Sequence, residues 1–198
     1  MKKIGVVLIL SSISMFLFCS IYHITLKDRK EEDITNYIEE TKINEEIESP
    51  EIVEEKKEQT NNTINYTSIL EIPSINLKEG LVNNTKNFNS VNYAVSIDKQ
   101  SNYPDKMGNF ILYAHSGNSN IAFFKKLYKV KLDDEICVYY NGIKYCYKVI
   151  DKYNIDKTGK ADVISTNSDK YITLITCNQQ EKGKQIVLIG KITNEFKY

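Results

Sequence analysis

From Leu70 onward the chain alternates short apolar runs with clusters of Asn, Asp, Ser, Gly and Pro. The runs occupy residues 70–75, 93–97, 109–114, 135–140, 143–153, 171–176 and 185–193. Their length, their Val, Ile, Tyr and Thr content and their punctuation predict strands, and the spacing predicts a closed barrel or a sandwich. Only residues 122–130 carry apolar positions at helical spacing, enough for about two turns. Asn141-Gly142 between two runs is the signature of a type I′ hairpin turn. Pairing outward from it sets Ile136, Val138, Tyr140, Ile143, Tyr145, Tyr147 and Val149 on one face, the predicted core face. No internal repeat interrupts this pattern.

Ahead of the strands stands a different pattern. Residues 4–26 form 23 positions without Asp, Glu, Lys or Arg, preceded by Lys2 and Lys3. As a helix this is long enough to span a bilayer. A cleaved signal peptide would need a site such as Ser12-Ile13-Ser14, but the apolar run continues through Tyr22, which favours an uncleaved anchor over residues 1–26. Cys19 follows Phe16-Leu17-Phe18 and lacks the small residues of a lipoprotein site. Lys27, Arg29 and Lys30 on the far side balance Lys2 and Lys3, so basic flanks alone do not orient the span.

Residues 27–63 carry 13 acidic and 6 basic side chains, with one Pro and no Gly. Such a segment cannot bury a core. Ile34 and Ile38 allow a marginal helix, ended by the Asn and Thr run at 60–63, and residues 27–65 are expected to be a solvated acidic stalk. The folded domain is expected over residues 66–198. The whole chain has zero formal net charge, which conceals a domain near +5 on that stalk. A bias this mild does not indicate nucleic-acid binding, because lysines spread along strands and loops make an ordinary wet surface.

Candidate chemistry gathers at two run ends. Cys177 closes an apolar run and precedes a polar turn, residues 178–184 with Gly183, after which a further strand starts near Gln185. A lone cysteine on an apolar strand is ordinarily inert packing. However, His115, one of two histidines in the chain, also stands at a run end, just after Phe110 to Ala114. Thiol and imidazole together supply an acid and a base near neutral pH. The hairpin register places Cys137 and Cys146 opposite one another on the outer face, in a non-hydrogen-bonded pair whose α-carbons lie about 4.5 Å apart. A cross-strand disulfide and two reduced thiols both fit that position. A zinc site from His115, Cys137, Cys146 and Cys177 lacks the short ligand spacing of structural zinc sites, and no metal or other cofactor is expected.

Thr173-Leu174-Ile175-Thr176-Cys177 resembles the TLxTC signature of the sortases, membrane-anchored cysteine transpeptidases of Gram-positive bacteria. Leu70 to Leu77 (LEIPSINL) resembles the family's early IP-x-I strand, and Gly108 to Leu127 resembles its histidine strand with the following FF-x-x-L helix. The resemblance implies an all-β, eight-stranded sortase barrel with one or two short helices, behind a transmembrane helix and charged stalk. It implies a single-pass membrane protein with its catalytic domain outside the cell. Cys177 would form a thioacyl enzyme with the carbonyl of an LPxTG-like C-terminal sorting motif on a surface or pilin protein. His115 would protonate the leaving amine and deprotonate the incoming one, an amine of a peptidoglycan precursor or of a pilin. Thr176 would help shape the peptide site or serve the strand alone.

One position departs from the family. Sortases carry an arginine at the start of the strand after the cysteine, and the matching residue is Gln185. No arginine follows Arg29. An amide can donate to an oxyanion, and Lys182 or Lys184 could bring charge nearby. The alternative reading is a sortase fold that only binds surface polypeptides.

Overall fold

The structure, a computed structural model, describes residues 2–46, 66–83, 91, 94–157, 161, 164 and 168–198, with side chains of the first segment described for residues 9–42. Two compact units result, Met1–Asn36 and Tyr37–Tyr198.

The first unit is helical. Helix α1 runs Lys2–Glu46, beyond the expected apolar stretch and into the second unit. Nothing breaks it: past Leu26 come Lys and Glu, both good helix formers, and neither Gly nor Pro occurs between Gly5 and Pro50. Lys27 and Glu31 add an i,i+4 pair. This helix is long and apolar enough to cross a membrane. Residues 47–65 of the expected stalk, with the Asn and Thr run at 60–63, lie outside the described residues.

In the second unit eight strands close a barrel: β1 (Ser68–Ile72), β2 (Leu77–Asn83), β3 (Val95–Ile97), β4 (Gly108–Tyr113), β5 (Glu135–Tyr140), β6 (Ile143–Asp156), β7 (Lys170–Cys177) and β8 (Lys184–Lys197). The order around the barrel is β1-β2-β3-β4-β7-β8-β6-β5, closed by β1 against β5. Two neighbours are parallel, β2 with β3 and β4 with β7. The remaining pairs are antiparallel. Alternation packs the interior with Leu70, Ile72, Phe110, Leu112, Ile136, Val138, Tyr147, Ile172, Leu174, Ile186 and Leu188. The expected core face of the hairpin is there, with Tyr140 and Ile143 partly buried against it.

The expected strand over 70–75 stops at Ile72, because Pro73 cannot continue the ladder and opens a 3₁₀ turn, Pro73–Ile75. The chain then reverses through Asn76, at φ 56°, into β2. That strand is hidden in the sequence by its Lys78-Glu79-Gly80 centre. Gly80 is required there, since a Cβ would overlap the Tyr66 ring. The helix expected over 122–130 is a succession of turns closed by i→i−3 bonds, ending in a 3₁₀ turn, Leu127–Lys129. Of its buried residues Ala122, Phe124, Leu127 and Val130, the three large ones recur every three positions, the 3₁₀ period rather than the α period.

The Asn141-Gly142 turn has both residues at positive φ, 48° and 72°, as type I′ demands. It sets Cys137 opposite Cys146, and the two form a disulfide with α-carbons 4.2 Å apart. Both cysteines are nevertheless fully buried. The outer face of the sheet is covered at this point.

Within the second unit, the last helical residues of α1 are bonded to the barrel. The Tyr37 hydroxyl donates to the Thr67 carbonyl at 2.7 Å, and the hydroxyls of Thr41 and Tyr198 share a bond of 2.8 Å. Burial pushes the Tyr37 phenol up, with the Tyr198 hydroxyl adding to it. Tyr198 in turn stacks edge-on against Tyr139 at 5.0 Å.

Candidate active site

The parallel pairing of β4 with β7 sets the site. Its register runs to Tyr113 opposite Ile175; His115 follows two residues past the end of β4, and Cys177 closes β7 at the same end of the pair. The antiparallel pairing of β7 with β8 puts Gln185 directly opposite Cys177. Three candidate residues, from the ends of three strands, thus stand at one barrel rim. Cys177 is an unbonded thiol, half-buried, and Gln185 is half-buried beside it, while His115 is exposed.

Alternation sorts the neighbours of Cys177 into two faces. Ile172, Leu174 and Thr176 turn inward with Ile186 and Leu188; Cys177 turns outward with Gln185. Thr176 is 3% exposed, and its hydroxyl donates to the Ala114 carbonyl at 2.8 Å. It therefore ties the end of β7 to the residue before His115, on the face away from the thiol. Lys184, opposite in alternation to Gln185, is engaged by Asp156 at 2.8 Å, and that carboxylate raises the lysine pKa. Lys182 is exposed on the turn.

The turn from Asn178 to Gly183 is held from within and from both sides. The Asn178 amide N–H donates to the Lys184 carbonyl at 2.9 Å, and its side-chain oxygen accepts from the Gln180 N–H. Gly183 takes φ 84°, a conformation that glycine adopts without strain. From the β6 side, Asn154 accepts from the Asn178 amide at 3.3 Å and donates to Glu181 at 3.1 Å. From the β4 side, Gln179 Nε2 donates to Ser116 Oγ at 2.9 Å, and Ser116 donates to the Cys177 carbonyl at 2.5 Å.

A second polar chain lies deeper on the outer face. Thr173 donates to Asn109 Oδ1 at 3.0 Å, and Asn109 donates to the Ile164 carbonyl of the connection between β6 and β7. Both side chains are buried, and the bond sets Ile164 against the outer face of β4.

Sequence reasoning singled out Cys177, His115, Gln185 and Thr176. It missed Ser116, Gln179, Asn154 and Asn109, whose partners lie 24 to 64 positions away. The signal for Ser116 was present in Ser116-Gly117, a turn pair just after the histidine. Among the described residues one cluster has metal-ligand atoms in reach, Glu135 with Cys137 and Cys146. Its two sulfurs are bonded to each other, which leaves no thiolate pair to hold an ion.

A family model described as the sortase domain matches residues 70–192, well over half of the chain. The chain belongs to the sortase family. No curated protein matches it. Among solved structures it is similar to sortase A of Listeria monocytogenes, 25% identical, with a TM-score of 0.59 over 67% of this chain and 90% of that one. It is similar to a Clostridium perfringens sortase D5 transpeptidase at 17% identity, with a TM-score of 0.61 over 85% of this chain and 98% of that one. Sortase C2 of the group B Streptococcus pilus island 1 matches at 23% identity, with a TM-score of 0.57 over 64% and 73%. The last two likenesses concern the fold.

Proposed function

We propose that this protein is a membrane-anchored sortase in which Cys177 is the nucleophile, His115 the general acid and base, and Gln185 the donor that takes the arginine's place. The observation that supports this reading is the parallel β4 and β7 pair, at whose shared end His115 follows β4 and Cys177 closes β7, with Gln185 across from the thiol.

The Cys177 thiolate attacks the carbonyl carbon of the sorting motif, forming a C–S bond and a tetrahedral oxyanion. The carbon–nitrogen bond then breaks, and the leaving amine takes a proton from the His115 imidazolium. An incoming amine attacks the thioester and gives its proton to His115. The new amide forms as the Cys177 thiolate departs. Gln185 Nε2–H bonds stabilise the oxyanion in both steps, with the Lys184 charge directed to the Asp156 side. Thr176 serves the scaffold by its bond to Ala114. The substrate is a surface or pilin protein with an LPxTG-like sorting motif, and the acceptor is a cell-wall or pilin amine. The apolar helix anchors the enzyme in the membrane, with the barrel on the outer side.

The test is product formation from a library of sorting peptides with hydroxylamine as acceptor. Cys177→Ala and His115→Ala should yield no hydroxamate, while Cys137→Ala and Cys146→Ala should retain most of it. Loss of product in the hairpin variants with full product from Cys177→Ala would overturn the assignment.

A further inference from the structure

We propose that Ser116 is a positioning residue that sets the distance between His115 and Cys177, an inference that rests on reading those two as the catalytic pair. The last paired residues of β4 and β7 are Tyr113 and Ile175. Beyond them the ladder thins to one long bond, from the Ala114 N–H to the Ile175 carbonyl at 3.4 Å. Both catalytic residues therefore sit past the end of a parallel ladder, where backbone pairing no longer fixes their separation.

Three bonds fix the main chain around His115 instead. The Ala114 carbonyl accepts from Thr176, and the His115 carbonyl accepts from the Phe124 N–H at 3.0 Å. The third is Ser116 Oγ, which donates to the carbonyl of Cys177 itself. Of these it alone joins the residue beside the histidine to the nucleophile. A hydroxyl has one proton to give, and here it goes to that carbonyl, so Ser116 acts on the reaction through geometry rather than on the substrate.

The hydroxyl is itself oriented. Gln179 Nε2 donates to it at 2.9 Å, from the turn that follows the nucleophile. Gly117, next along the loop, has a φ of 122°, a conformation that glycine adopts without strain. The sequence Gln179 to Ser116 to Cys177 carbonyl thus forms a closed clasp across the rim. Since catalysis needs reacting groups placed to well within 1 Å, releasing the clasp should cost turnover rather than peptide affinity.

The experiment uses the full chain in detergent micelles and compares wild type with Ser116→Ala, Ser116→Thr and Gln179→Ala. Hydroxamate formation gives kcat and KM, and iodoacetamide alkylation with peptide mapping gives the reactivity of Cys177 without any sorting peptide. Ser116→Ala should lower kcat about 10-fold with KM nearly unchanged, and should change the alkylation rate about threefold or more. Ser116→Thr keeps the hydroxyl and should restore most of both; Gln179→Ala should show the same pattern at smaller size. Wild-type kcat and alkylation rate in Ser116→Ala would overturn the proposal. Should Ser116→Ala fail to fold, unchanged kinetics and alkylation in Gln179→Ala, altered on an exposed residue, would overturn it too. Hydroxamate from Cys177→Ala would instead remove the reading beneath it, and alkylation still reports on the clasp if no peptide turns over.

Discussion

At the scale of single residues, the sharpest question is whether Gln185 takes the oxyanion-holding role that the proposed reaction needs in place of arginine. Gln185 stands directly across from Cys177, on the outward face that the thiol shares, while Lys184 faces away and is bonded to Asp156. Gln185→Ala should therefore lower turnover about 10²-fold, the usual cost of losing an oxyanion donor. Lys184→Ala should leave turnover close to wild type. Gln185→Arg should keep or raise it. Steady-state kinetics on one sorting peptide decides among these outcomes. A thioacyl intermediate seen only in Gln185→Arg would make the natural protein a binding barrel. Cys177 and His115 stand out in the sequence as candidates because both close apolar runs. Ser116 and Gln179 do not, because their meaning lies in partners that only the β4 and β7 pairing brings together.

Elements were legible where alternation and turn chemistry agree. The β5 and β6 hairpin follows from Asn141-Gly142 alone, down to the Cys137 and Cys146 pairing. Burial of that pair was not legible, since it depends on what covers the outer face. β2 was hidden because its charged and glycine centre breaks the apolar run, and the 3₁₀ character of residues 122–130 required knowing which apolar residues are buried. The disulfide closes a short loop inside an already paired hairpin. Chain-entropy arguments give it about 2–3 kcal/mol. Reduction with dithiothreitol should lower the melting temperature by about 5–10 °C, measured by circular dichroism, with hydroxamate formation at 25 °C little changed. Unchanged melting after reduction would show that the hairpin needs no covalent link.

For the whole molecule, the family-matched region, residues 70–192, falls inside the larger compact unit, which begins at Tyr37. The bonds of Tyr37 to Thr67 and of Thr41 to Tyr198 join residues ahead of the barrel to both of its chain ends. A chain starting at Tyr37 should therefore be more stable than one starting at Tyr66. Two such bonds at about 1 kcal/mol each should separate their melting temperatures by about 5 °C. Equal melting would make residues 37–46 a plain tether, as composition alone suggested. The sequence misses this contact because a segment rich in Glu and Lys reads as solvated, and two hydroxyls are enough to dock it.

The central claim is that Cys177 carries the acyl group between donor and acceptor. Intact-mass spectrometry of the protein, quenched in acid after mixing with a sorting peptide in the absence of added amine, tests it directly. The account predicts a mass increase equal to the acyl portion of the peptide, mapped to the fragment containing Cys177, lost on adding hydroxylamine and absent in Cys177→Ala. An adduct that persists in Cys177→Ala, or turnover with no adduct on the wild-type thiol under any quench time, would contradict it.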